Sequence, residues 1–117
     1  MTRKLITIKE DTTIIDAITI MLQNKISSIP VVDENMILLG ILTETDVLEL
    51  AFFNFTNDEK AVDYMTRDII TMDENTELLD VCECLIKESF KRIPILSGNK
   101  LIGIISRKDM LKFILAM

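Results

Sequence analysis

The sequence predicts a mixed α/β fold of the α+β kind, in which two β-α-β-β-α repeats pack about a pseudo-twofold axis. Three observations predict it. The first is an internal duplication. Met1-Thr2-Arg3-Lys4-Leu5-Ile6-Thr7-Ile8 returns as Met65-Thr66-Arg67-Asp68-Ile69-Ile70-Thr71-Met72, an offset of 64 residues. Thr12, Asp16 and Ile29-Pro30-Val31 return at that offset as Thr76, Asp80 and Ile93-Pro94-Ile95. After the loss of one residue, Gly40-Ile41-Leu42-Thr43 and Asp46 return as Gly103-Ile104-Ile105-Ser106 and Asp109. A repeat of this length marks two copies of one unit, because a stacked array needs three or more. The second observation is the shared order of β-type runs and helical periodicities inside each copy. The third is size. At 117 residues the chain fits one compact domain, whereas a half of about 55–60 residues is marginal alone. The halves are expected to share one core.

The elements follow in order. Leu5-Ile6-Thr7-Ile8 reads as a short strand. Asp11-Thr12-Thr13 supplies helix-start residues. Ile14, Ile15, Ile18, Met21 and Leu22 then recur at helical spacing and predict one apolar face. Ser27 to Val32 reads as a strand entered through a loop. Pro30 cannot donate to a ladder, which places it among the strand's first residues or on an edge. Asp33-Glu34-Asn35 is a turn, and Ile37 to Leu42 pairs back as a hairpin. Thr43-Glu44-Thr45-Asp46 opens a second helix that runs through Val47, Leu48, Leu50 and Ala51. In the second copy Ile69 to Met72 is the first strand. Leu78, Leu79, Cys82, Leu85 and Ile86 form the apolar face of its helix. Arg92 to Leu96 enters the turn Ser97-Gly98-Asn99, Leu101 to Ile105 returns, and Ser106 to Ala116 is the last helix. The lost residue falls in the hairpin turn, where length changes are best tolerated. The predicted boundaries are 1–54 for the first repeat, 55–64 for a connector and 65–117 for the second repeat.

Composition narrows the function classes. The net charge is -6. Residues 1–64 hold all of the acidic excess, and residues 65–117 are balanced. An acidic chain is a poor partner for a phosphate backbone, so no nucleic-acid partner is expected. No run of about 18 apolar residues occurs, so no membrane partner is expected either. The sequence has no histidine and two cysteines, Cys82 and Cys84. Zinc takes about four ligands, more than these supply. No metal site is expected, and both thiols read as small buried side chains. Free thiols suit a reducing, cytoplasmic setting. Without histidine, a base–nucleophile pairing or a glycine-rich phosphate loop, the chain is not expected to be an enzyme. Phe52, Phe53 and Phe55 are expected to pack the connector or a dimer contact, and the methionines to fill the core.

Chemistry concentrates where a strand passes into a helix, at Thr43-Glu44-Thr45-Asp46 and Ser106-Arg107-Lys108-Asp109. A hydroxyl and a carboxylate three residues apart form a capping box, which satisfies unpaired amides at a helix start. The same geometry serves a ligand. A helix N-terminus favours anions, and the carboxylate accepts from the paired hydroxyls of a ribose. Local pattern leaves both readings open.

These motifs together resemble two CBS motifs, the tandem unit called a Bateman module. The resemblance rests on Met-Thr-Arg-x-x-Ile-Thr, Ile-Pro-Val-Val-Asp and Gly-Ile-Leu-Thr-x-x-Asp, in order and twice, across essentially the whole chain. It implies a regulatory sensor that binds an adenosine-containing small molecule (AMP, ADP, ATP or S-adenosylmethionine) in clefts between the two motifs, requires no cofactor and does no chemistry on the ligand. By position it implies that Asp46 and Asp109 hold ribose hydroxyls and that Thr43 and Ser106 lie near phosphates. Thr2, Ile6 and Thr7, with Thr66, Ile70 and Thr71, would cradle adenine, while Ile29-Pro30 and Ile93-Pro94 line the other side of the base. The family's strand crossover implies that Asp46 draws on Thr66–Thr71 and Asp109 on Thr2–Thr7. A homodimer and a regulated effector domain or protein are the implied partners. A ligand-free dimerisation or interaction module of a larger protein is the alternative.

The copies differ where phosphate would bind. The second has Lys91-Arg92 before its proline and Arg107-Lys108 at the helix start, where the first has Ser27-Ser28 and Glu44-Thr45. A guanidinium engages two phosphate oxygens through its planar fork. Arg92, with help from Lys91 or Lys108, is therefore expected to hold phosphates beside Asp109. The Asp46 site would take a less charged ligand or stay empty.

Overall fold

The computed structural model describes residues 5–53, 56–87 and 92–117. The chain forms two compact units, Ile6–Ile69 and Ile70–Met117, with Leu5 grouped in the second.

In the first unit, helix α1 spans Ile14–Asn24. Thr13 caps it by accepting from the Asp16 N–H at 3.1 Å. The helix stops at Lys25, whose left-handed backbone sends its N–H back to the carbonyls of Leu22 and Met21, a terminus that satisfies otherwise unpaired acceptors. Strand β1 (Ser28–Val32) pairs antiparallel with β2 (Leu38–Thr43). The turn between them is held by Asp33, whose Oδ1 accepts from the amides of Asn35 and Ile37 at 2.8 and 3.0 Å. Helix α2 (Glu44–Glu49) follows β2 directly and gives way to a single 3-10 turn over Leu50–Phe52. The core is Ile8, Ile14, Ala17, Met21, Ile29, Val31, Leu42, Leu50, Ala61 and Met65.

The second unit repeats the plan. Strand β3 (Met72–Asp73) pairs parallel with β4 (Arg92–Ser97), which pairs antiparallel with β5 (Lys100–Ser106). Helix α4 (Leu78–Lys87) precedes β4, and helix α5 (Arg107–Leu115) follows β5. Val81, Leu85, Ile93, Ile95, Ile105 and Met110 form its core. The hairpin closes on Gly98 at φ 63°, where the longer turn of the first unit uses Met36 at φ 65°.

The structure corrects the expected first strands. Leu5–Ile8 contributes one bridge, Ile8 to Val31, and Ile69–Met72 contributes Met72 with Asp73 as its only partner in the strand. The prolines explain both. The Ile8 N–H donates to the Pro30 carbonyl at 3.0 Å, and the Val32 N–H donates to the Ile8 carbonyl at 2.9 Å. The next rung of a parallel ladder would run from the nitrogen of residue 30 to the carbonyl of residue 6. Proline has no hydrogen to give, so pairing halts there. Pro94 stands in the same register to Met72. Pro30 is thus the third residue of β1, a strand at the edge of its two-stranded sheet, and its missing donor lies where the ladder ends.

The expected helix faces were too wide. In α1 the buried line is Ile14, Ala17 and Met21, whereas Ile15 and Leu22 are 41% and 74% exposed. In α4 the buried residues are Val81 and Leu85, whereas Leu79 and Ile86 are exposed. A helix resting on one sheet buries a stripe of about 100°, so residues a further turn-fraction round stay outside. Cys82 and Cys84 are half-buried free thiols, not fully buried ones. Phe52 and Phe53 are exposed and pack no connector, and Phe55 lies outside the described residues.

The polar connector also has structure of its own. Helix α3 (Ala61–Tyr64) lies within it. The Ile14 N–H donates to the Glu59 carbonyl at 2.9 Å, and the Ala61 N–H donates to the Thr12 carbonyl at 2.8 Å. These bonds stitch the connector to the start of α1, and Ala61 and Met65 enter the core of the first unit.

Candidate functional site

In the first unit the β2–α2 junction carries Thr43 and Asp46 as a reciprocal capping box. The Thr43 N–H donates to Asp46 Oδ2 at 2.9 Å, and the Asp46 N–H donates to Thr43 Oγ1 at 3.1 Å. The local sequence dictates this, because a hydroxyl at the cap and a carboxylate three residues on satisfy two amides that the helix cannot.

A third residue joins them from 20 positions away in sequence. The Thr66 hydroxyl donates to both Asp46 oxygens, at 3.0 Å to Oδ1 and 3.1 Å to Oδ2. The backbone of Thr66 is fixed on the outer edge of β2 by two bonds with Ile41, at 2.9 and 2.7 Å. That approach is close because Gly40 has no side chain. A Cβ there would lie 2.8 Å from the Thr66 carbonyl oxygen and 2.8 Å from Met65 Sδ. The unit's β-layer therefore reads Ile8, β1, β2, Thr66, with all three polar groups at one end of β2. All three are half-buried. The duplication pointed to both Thr66 and Asp46, but periodicity alone gave no sign of the contact between them, or of the role of Gly40.

The second unit carries the equivalent box. The Ser106 N–H donates to Asp109 Oδ2 at 2.8 Å, and the Asp109 N–H donates to Ser106 Oγ at 3.1 Å. The register of β4 and β5 sets Arg92 directly opposite Ser106. The matching pair in the first unit is Ser28 opposite Thr43. Directly opposed residues hold their Cβ atoms about 4.5–5.5 Å apart, so an arginine leaves the strand beside one helix start and a serine beside the other. Arg107 is exposed along its length but donates from Nη2 to the Leu85 carbonyl at 3.0 Å. It ties α5 to the last turn of α4. Lys108 is exposed, and Lys91 lies outside the described residues.

The remaining predicted residues fall as follows. Ile6 and Thr7 are half-buried residues of the first unit, and their counterparts ahead of β3 in the second are Ile70, which is exposed, and Thr71, which is half-buried. Thr2 lies outside the described residues. Ile29 and Ile93 sit in the cores of their own units at 0% exposure, and Pro30 and Pro94 beside them are buried. Among the described residues no three acidic or cysteine side chains gather as a metal would require, and no helix is long and apolar enough to cross a membrane. An apolar cavity of about 380 Å³ opens between α4 and α5, lined by Cys82, Leu85, Ile86, Met110, Leu111 and Ile114 with Arg107.

Comparison with known proteins identifies the family and the fold. The family model described as CBS domain matches residues 1–52 and 61–116. The chain is 32% identical over 114 residues to protein MJ1225 of Methanocaldococcus jannaschii, covering 97% of this chain and 41% of that one. It is 32% identical to a 17.7 kDa protein of Acidianus ambivalens, covering 97% and 70%, and 35% identical to inosine-5'-monophosphate dehydrogenase of M. jannaschii, covering 94% and 22%. The chain thus spans about two-fifths of the first relative and about a fifth of the dehydrogenase. Among solved structures, CBSX2 in complex with AMP superposes with a TM-score of 0.89 at 28% identity, covering 99% of this chain and 92% of that one. The structure of MJ1225 superposes with a TM-score of 0.89 at 26% identity, covering 99% and 48%. Duplicated sequence, repeated β-α-β-β-α units, paired capping boxes and matching relatives lead to one assignment: the chain belongs to the CBS-domain family and carries two copies of its motif.

Proposed function

We propose that this protein is a regulatory sensor module that binds an adenosine-containing ligand, with AMP as the leading candidate ahead of ADP, ATP and S-adenosylmethionine, and that it is not itself an enzyme. The observation that carries the reading is the register of β4 and β5, which sets Arg92 beside Ser106 at the start of α5. That end of the second unit combines a guanidinium, a hydroxyl, helix-start amides and the Asp109 carboxylate. A nucleoside phosphate presents the complementary set, since phosphate suits the cation and the amides and the sugar hydroxyls suit the carboxylate. A related protein, CBSX2, was crystallised with AMP, which supports the class. The first unit has Ser28 at the matching position and most of the acidic residues, so its Asp46 site takes a less charged adenosyl ligand.

Isothermal titration of AMP tests this on wild type and Arg92→Ala. A charge-assisted hydrogen bond contributes about 1.5–3 kcal/mol, so the variant is expected to bind AMP at least tenfold more weakly and adenosine equally well. Unchanged AMP affinity would remove Arg92 from the site. Ligand occupancy would regulate an effector, either joined in a longer polypeptide, as the short share of the dehydrogenase suggests, or separate. The exposed apolar faces of α4 and α5 support a homodimer as the assembled state. They also favour the second reading, a dimerisation module that binds no ligand.

A further inference from the structure

We propose that Arg107 is an anion-responsive latch: without ligand it clamps the start of α5 to the end of α4, and a phosphate at the start of α5 draws it off. The proposal rests on the reading above only for the place of the anion.

The bond to Leu85 answers a need of α4. The Leu85 carbonyl is among the last four of a helix that ends at Lys87, and such carbonyls have no partner within their own helix. Arg107 Nη2 donates to it at 3.0 Å, across 22 positions of sequence. The first unit meets the same need locally. Met21 stands at the matching position, and its carbonyl accepts from the Ile26 N–H at 3.0 Å. The residue that matches Arg107 there is Glu44, whose carboxylate has no hydrogen to give. The tie between helices is therefore not part of the duplicated plan.

Charge makes the tie exchangeable. A helix start favours anions and a helix end favours cations. Glu44 suits the start of α2. Arg107 is the first residue of α5, so its charge is misplaced on its own helix and well placed only through its reach to α4. The cation in the last turn of α4, Lys87, pairs instead with Glu83 at 2.6 Å. An anion at the start of α5 reverses the preference. Phosphate carries full charge and takes two N–H groups of the planar fork at once, which a single neutral carbonyl cannot match. Arg107 is exposed, so little packing opposes the exchange.

The tie also joins two walls. Leu85 and Ile86 of α4 line the apolar cavity with Met110 and Ile114 of α5, and among the described residues Arg107 brings that lining its one charge. Release of Arg107 frees the last turn of α4 and with it one wall. Occupancy at the start of α5 is thereby passed to the exposed surface of the two helices.

The test is amide hydrogen exchange at Leu85, Ile86 and Lys87, read by NMR in wild type and Arg107→Met after thermal melts show that both are folded. Without ligand, Arg107→Met is expected to exchange these amides about tenfold faster, the scale of one hydrogen bond to a charged group. Saturating AMP is expected to bring wild type to the variant's rate and to leave the variant's rate as it was. A merely structural tie would not respond to AMP. Equal exchange in the two unliganded proteins would overturn the latch. So would AMP that binds by calorimetry yet leaves the wild-type amides unchanged or slows them, and the adenosyl reading survives either result. AMP that fails to bind defeats the adenosyl reading, and inorganic tripolyphosphate then decides the latch by itself. Faster exchange with tripolyphosphate in wild type only would uphold it, and unchanged exchange would overturn it.

Discussion

Gly40 shows how much one hydrogen atom in place of a methyl can decide. Any larger residue would push against the Thr66 carbonyl and Met65 Sδ, both 2.8 Å from the added carbon, and the backbone oxygen cannot rotate away. Gly40→Ala is expected to destabilise the protein by about 1–3 kcal/mol, the usual range for forced overpacking, measured as a fall in urea midpoint at constant slope. Tyr64 supplies a second test. Its hydroxyl donates to Glu59 Oε2 at 2.7 Å. That bond, followed by desolvation and the charges of Glu59 and Asp63, raises the Tyr64 pKa above its ordinary 10.0. The protonated phenol is thus favoured in the folded state. The stabilisation is complete below pH 10.0 and is lost as pH rises through the elevated folded value. Denaturation midpoints above pH 10.0 should therefore fall more steeply in wild type than in Tyr64→Phe. The duplicated motif made Asp46, Asp109, Thr43 and Ser106 legible as a set, since cap chemistry is written in adjacent residues. The contacts of Gly40 and Thr66 depend on chain segments meeting across a fold, and no spacing within the sequence encodes those.

At the scale of elements, the strands, turns and helices follow the expected order. Their departures come from two causes: prolines that withhold a donor, and helix stripes narrower than the apolar pattern. Hydrophobic periodicity locates a face but does not tell which part of it the sheet will cover. The uncovered part of α5 includes Leu111, Ile114 and Leu115, at 67%, 53% and 89% exposure, and α4 adds Leu79 and Ile86. A contiguous apolar surface of this kind commonly marks an interface. If a second copy covers it, Ile114→Glu is expected to lower the sedimenting mass from two chains to one of 13.4 kDa. The thermal stability of the isolated unit should hardly change, because the site is exposed already. An unaltered mass would move the interface elsewhere.

For the whole molecule, duplication allows one plan to be tuned twice. The cap geometry is the same in both copies to within 0.1 Å for each bond, while Ser28 and Arg92 occupy the same register with different charge. A ligand that binds only the folded state must raise the melting temperature, by the equivalent of about 2.7 kcal/mol at a hundredfold excess over Kd. AMP is expected to produce such a shift in wild type and a smaller one in Arg92→Ala. A screen of adenine nucleotides and S-adenosylmethionine without any shift would favour the dimerisation reading.

Pro30 and Pro94 reach beyond the strands they interrupt. By withholding one hydrogen each, they leave the carbonyls of Ile6 and Ile70 without a rung from the neighbouring strand. An edge in that condition resembles the unpaired rim of a base: it offers acceptors at set intervals and welcomes a planar donor. In a module that holds adenosine, the exocyclic amine of the purine is such a donor, and the oxo group of a guanine or hypoxanthine at the same ring position is not. Discrimination among purines would then originate in two imino acids that have no hydrogen to give.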